Sequence, residues 1–103
     1  MPDALDPDEI IEAAETADGQ RIVLTASAWE HISFEHPEMA AYMDEVVNAA
    51  THPDAVVEDP RRGRRRHFKV GAGPSRWLRV IVDFNQSPAR IVTAHAHRKE
   101  PSR

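Results

Sequence analysis

Apolar positions along this chain follow two different periods, and the change falls at Pro53. Before it, Met39, Met43, Val46, Val47 and Ala50 stand at i, i+4, i+7, i+8 and i+11, the stripe of an amphipathic helix. Pro37 suits that helix's first turn, and His52-Pro53 closes it, because a proline pushes the residue before it out of the helical region. An earlier, shorter helix is predicted to start at Ser27-Ala28-Trp29-Glu30, which has the form of a capping box, and to end at His36-Pro37. Its Trp29 and Ile32 should point to the core. Ahead of it, Arg21-Ile22-Val23-Leu24-Thr25 reads as a strand rich in β-branched residues. After Pro53 the period becomes two. Strands are predicted over residues 55–58, 67–70, 77–84 and 90–97, separated by turns at Asp59-Pro60-Arg61-Arg62-Gly63, Gly71-Ala72-Gly73-Pro74 and Asn85-Gln86-Ser87-Pro88.

The order β-α-α-β-β-β-β, with short turns between the last four strands, predicts an α+β domain over residues 21–99. Two consecutive helices should pack on one face of a curved antiparallel sheet. Residues 1–20 carry only Ile10, Ile11 and Ala14 as a candidate apolar side, which predicts a short helix or a frayed acidic segment. Residues 100–103 are a tail. Alternation then sorts the strand residues by face. Phe68, Val70, Val80, Val82, Val92 and Ala94 are expected under the helices. His67, Lys69, Arg79, Thr93, His95 and His97 are expected on the opposite face.

Charge sharpens this picture. Residues 1–59 hold 15 Asp or Glu against one Arg, net −14, while residues 60–103 hold 12 Lys or Arg against two acids, net +10. The overall −4 therefore hides a strongly basic second half. Five of its arginines crowd one turn, Arg61, Arg62, Arg64, Arg65 and Arg66, followed by His67 and Lys69. Clustered cations of this kind displace counterions from phosphates, so the run predicts contact with an RNA or DNA backbone. No aromatic pattern for reading bases accompanies it. Zero cysteines among 103 residues exclude disulfides and thiolate metal sites. The acidic start is unlike an export signal, and no apolar run approaches the roughly 20 residues needed to span a bilayer. A cytoplasmic protein with no membrane partner is expected.

The expected polar face carries the groups that RNA cleavage needs. A 2′-hydroxyl must lose a proton, a 5′-oxygen must gain one, and the phosphate must be neutralised. Histidine suits both transfers because its pKa lies near working pH, and arginine suits the phosphate through its bidentate fork. His31, His95, Thr93 and Arg79 are the candidates for this work, with Arg61, Arg62, Arg64, Arg65, Arg66, His67, Lys69 and His97 as candidate RNA contacts. His36 and His52 precede prolines and read as cap or turn residues. His31, His95 and His97 lack the ligand spacing usual for zinc, so neither a metal nor a cofactor is expected. A Gly-rich phosphate loop, a zincin helix and a serine nucleophile elbow are all missing.

Leu24-Thr25-Ala26-Ser27-Ala28-Trp29-Glu30-His31-Ile32, then His36-Pro37-Glu38, His52-Pro53-Asp54 before a charged turn, and the closing Ile91-Val92-Thr93-Ala94 resemble small phage and bacterial nuclease domains. These belong to the barnase–EndoU–colicin–RelE-like superfamily. The resemblance covers about residues 21–98 in one register. It implies helices behind a curved antiparallel sheet and a metal-independent, toxin-like endoribonuclease in a phage-related setting. By position it implies a site containing His31, an Arg or Lys of the basic strand region, Thr93 and the residue after Ala94. That last residue is His95 here, where many relatives carry Tyr. The departure keeps a second reading open, a catalytically inactive module of the same fold that binds RNA or another protein. For an active nuclease, the expected partners are RNA and an antitoxin or immunity protein that offers an acidic patch to the arginine turn.

Overall fold

The computed structural model describes residues 8–101. The described residues open with a hairpin of β1 (Ile10–Glu15) and β2 (Arg21–Thr25), paired antiparallel, and residues 1–7 of the expected acidic segment lie outside them. This differs from the helix or frayed segment expected there. The reason is the Asp18-Gly19 pair, a hairpin-turn signal. Gly19 takes φ 87°, and the Thr16 side chain accepts the Gln20 N–H at 2.9 Å, which closes the loop. Once turned back, Ile11 lies against the core and Ala14 is half-buried, while Ile10, Glu12, Ala13 and Glu15 face water.

Next come α1 (Ala26–Glu35), a single 3-10 turn at Pro37–Met39, and α2 (Met43–Thr51). The α1 start differs from the capping-box expectation by two residues. Thr25, in extended backbone, accepts the Ala28 N–H on its hydroxyl at 3.2 Å, so Thr25 rather than Ser27 is the cap. Both X-Pro stops act as predicted: the N–H of His36 closes on the Ile32 carbonyl, and that of His52 on the Asn48 carbonyl, each at 2.8 Å. The stripe predicted for one helix is divided. Met39 is fully buried on the 3-10 turn, and Val46 and Ala50 are fully buried on α2.

The remaining strands are β3 (Ala55–Glu58), β4 (Arg64–Val70), β5 (Trp77–Asp83) and β6 (Ala89–His97). They form an antiparallel meander as expected, and the full sheet runs β1-β2-β6-β5-β4-β3. β2 joins β6 in parallel through only two pairs, Ile22 with Ala89 and Val23 with Arg90. Past these pairs α1 packs along β6. Leu78, Val80 and Val82 of β5 meet Ile32, Met39 and Val46 in one core. Among the described residues no helix is long and apolar enough to cross a membrane.

Register corrects two of the expected faces. His67 pairs with Val80 and Phe68 with Arg79, so His67, with Arg65 and Lys69, shares the helical face, and Phe68 and Val70 face away from it. Phe68 is still only 3% exposed, because Trp77 and His97 pack around it on that second face, with ring centroids at 6.4 and 5.5 Å. In β6 a bulge opposite Ile81 and Val82 leaves Val92 as an extra residue. Ile91 therefore enters the core at 2% exposure in place of Val92, while Thr93, His95 and His97 keep the face assigned to them.

Thr25→Ala should lower unfolding free energy by about 1–2 kcal/mol and Ser27→Ala by only a few tenths, read by urea denaturation. Equal losses would overturn the assignment of the cap.

Candidate functional site

The arginine turn between β3 and β4 is held by two carboxylates. Asp59 accepts the Arg61 N–H at 2.8 Å on one oxygen and the Arg66 Nε–H at 2.9 Å on the other. Burial works to raise the Asp59 pKa, but these hydrogen bonds and the charges of Arg66 and Arg61 outweigh it and hold the acid below its ordinary range. Asp83 lies 3.7 Å from Arg64 Nε and accepts both the backbone and the side-chain N–H of Asn85, at 2.8 Å each. Asn85 in turn donates to the Arg62 carbonyl at 2.9 Å. Gly63 fits beneath it with φ 80°, where a Cβ would lie 2.1 Å from Asn85 Oδ1. A turn that would otherwise fray under its own repulsion is thereby pinned to the β5–β6 loop.

The sheet face away from the core is organised in cross-strand rows. One row is Arg64, Asp83 and Arg90; the next is Arg66, Ile81 and Thr93; the third is Phe68, Arg79 and His95; the last is Val70, Trp77 and His97. On this face opens a cleft of about 390 Å³, with Arg61, Arg64, Arg66 and Asp59 on one side, His31 of α1 on the other, and Ile81, Val92 and Thr93 as the floor. The bulge matters here, since it brings Val92 and Thr93 into the floor together.

The third row adjoins the cleft. Same-face neighbours on a strand stand about 7 Å apart, so His95 follows Thr93 at that spacing. The His95 ring is 5.3 Å from that of His36 and 6.0 Å from that of His97. Desolvation first, then the charges of Arg79, His36 and His97, lower its pKa from 6.5 to about 4, which leaves the imidazole neutral at physiological pH. His97 is shifted down by desolvation, Arg79, Lys99 and Arg66. Arg79 is itself lowered, by desolvation and by Arg66, and its Nε is buried without a hydrogen-bond partner. A partly dehydrated cation with unused donor capacity beside a neutral histidine suits an incoming anion.

The predicted site residues therefore divide. His31, Thr93, Arg61, Arg64 and Arg66 meet in the cleft, and Arg79, His95 and His97 lie next to it on the same face. Arg62 is exposed at the turn. Three residues expected to touch RNA are on the helical face. Arg65 lies 4.7 Å over the Phe84 ring and 3.4 Å from Glu58. His67, 5% exposed, donates from Nδ1 to the Ala50 carbonyl at 2.7 Å, and its pKa is lowered chiefly by burial. Lys69 donates to the His52 carbonyl at 2.8 Å, where a cation answers the C-terminal dipole of α2. His36 was read as a cap and is one, yet the cap position also sets its ring against His95, 59 residues away in sequence, which no local signal announces. Among the described residues no three His, Asp or Glu side chains converge as a metal ion would require.

No protein-family model matches the chain, and no curated protein is significantly similar to it.

Two measurements test this geometry. His95 takes up a proton near pH 4 in the fold but near 6.5 in the unfolded chain, so acid favours unfolding. This contribution to stability is complete above pH 6.5 and is lost as pH falls toward 4. Wild type should accordingly lose more unfolding free energy than His95→Gln over that window, and parallel curves would refute the shift. Gly63→Ala should cost about 1–3 kcal/mol by chemical denaturation, because it strains the positive φ and displaces Asn85.

Proposed function

We propose that the cleft binds RNA and that the protein is a metal-independent, toxin-like endoribonuclease. One observation carries this reading: His31, Thr93, Arg61, Arg64 and Arg66 line one cleft, with His95 and Arg79 one row along the same face. A phosphodiester in the cleft meets the arginine side, and Thr93 orients a phosphate oxygen. His95, neutral at rest, takes the proton of the 2′-hydroxyl as its oxygen bonds to phosphorus. His31 gives a proton to the departing 5′-oxygen as the P–O bond breaks, leaving a 2′,3′-cyclic phosphate. A bound phosphate next to Arg79 offsets the cationic surroundings of His95 and brings its pKa back toward the working range. The resemblance of four short motifs to the barnase–EndoU–colicin–RelE-like superfamily supports the same assignment. A partner with an acidic patch, of the antitoxin or immunity kind, complements the exposed Arg61 and Arg62.

A second reading is a module that binds RNA without cleaving it. The observation in its favour is that His95 lies outside the cleft lining and keeps a pKa of about 4, which leaves His31 as the cleft's own histidine.

Purified protein incubated with tRNA and mRNA in EDTA should yield discrete cleavage that is lost in His31→Ala and His95→Ala. Cleavage surviving in both variants would sink the assignment of roles. Absence of cleavage with salt-sensitive binding retained would select the binding module. In either case Arg64→Ala and Arg66→Ala should each weaken binding and flatten its log–log salt dependence by about one.

A further inference from the structure

We infer that Phe34 is a stacking platform for an unpaired base of the strand held in the cleft, which selects single-stranded over duplex RNA. The inference rests on the RNA-binding reading and adds to it a contact that charge alone does not supply. Phe34 is 82% exposed, whereas the next most exposed large apolar side chains among the described residues, Ile10, Val56 and Val70, are each just under half exposed. Burying such a ring elsewhere would stabilise the fold, and alanine would be a better helix former at this position. Neither core packing nor helix propensity calls for it.

Its place on α1 gives the reason. Phe34 stands three residues after His31, so the two side chains are neighbours on the helix surface, and His31 lines the cleft. Ile32, fully buried, faces the core and leaves Phe34 on the water side of the same rim. A strand whose phosphates follow Arg61, Arg64 and Arg66 and whose path leaves past His31 reaches the Phe34 ring next. The surroundings of the ring decide which part of the strand can sit there. Glu30 and Glu35 are exposed on the same helix and repel phosphate. A nucleobase is planar and uncharged, and every base has a face for stacking. In a duplex the bases are paired and their faces stacked on one another, so the ring has nothing to receive.

The test uses fluorescence anisotropy with 2′-O-methyl RNA octamers, which cannot be cleaved by 2′-hydroxyl attack, as single strands and as duplexes. Phe34→Ala should bind the single strand about tenfold more weakly than wild type, with the salt slope unchanged because no phosphate contact is lost. Phe34→Leu, which keeps apolar bulk without a ring, should lose as much, and Phe34→Trp should restore affinity and show fluorescence quenching on binding. Wild-type affinity for the single strand should exceed that for the duplex, and the preference should shrink in Phe34→Ala. Unchanged single-strand affinity in Phe34→Ala overturns the stacking role while leaving RNA binding intact. A wild type that binds no octamer overturns the RNA reading and this inference with it. Full affinity in Phe34→Leu replaces stacking by a generic apolar contact and also overturns it.

Discussion

Side-chain parity across β4, β5 and β6 is the constraint on which the rest of this structure depends. In an antiparallel sheet, paired residues share a face, so the pairing of His67 with Val80 settles every neighbouring row. Val80 is in the core, which commits His67 to the helices and, one residue either way, sends Arg66 and Phe68 to the other side. A slip by one would turn Arg64 and Arg66 to the helical face and leave the cleft with Arg61 alone. The bulge at Val92 is the second half of the constraint. It lets Ile91 fill the core while Thr93, His95 and His97 remain on the arginine face.

Holding so many cations on one sheet is costly, and the structure meets the cost with a few well-placed acceptors. Asp59 and Asp83 take Arg66, Arg64 and the backbone of the turn, and Asn85 ties that turn to the next loop. Arg79 is treated differently. It is partly dehydrated, feels Arg66, and has an unpartnered Nε, while the histidine opposite it is kept neutral by the same crowding. An anion there would pair with the Arg79 guanidinium and raise the pKa of the neutral His95. The helical face shows the contrast. There Arg65, His67 and Lys69 each have an internal partner, through Glu58 and Phe84, the Ala50 carbonyl and the His52 carbonyl.

Local chemistry carried the helices and the meander into the sequence. The prolines after His36 and His52 stop helices for reasons internal to a dipeptide, and the Met39–Ala50 stripe is a matter of spacing alone. The β1–β2 hairpin was harder to read because Ile10, Ile11 and Ala14 are too few to declare a period, although Asp18-Gly19 marked the turn. Thr25 and Ser27 both place a hydroxyl at the strand–helix junction, and only backbone geometry chooses Thr25 as the cap. For β4, hydrophobicity suggested that Phe68 should be inside and His67 outside. It failed because aromatic partners on the second face, Trp77 and His97, gave Phe68 a place to bury, and the Ala50 carbonyl gave His67 a donor's partner.

The α+β class, the strand order within the meander, the charge imbalance between halves and the density of arginine at one turn were all legible along the chain. Each of these follows from neighbours in the chain and from periodicity. Which arginines meet His31 and Thr93, which turn to the helical side, and the approach of His36 to His95 were settled in the folded arrangement. Those outcomes depend on register, on one extra residue in β6, and on desolvation by groups far apart in sequence. A one-residue change in pairing moves a side chain through the sheet, and composition records nothing of it.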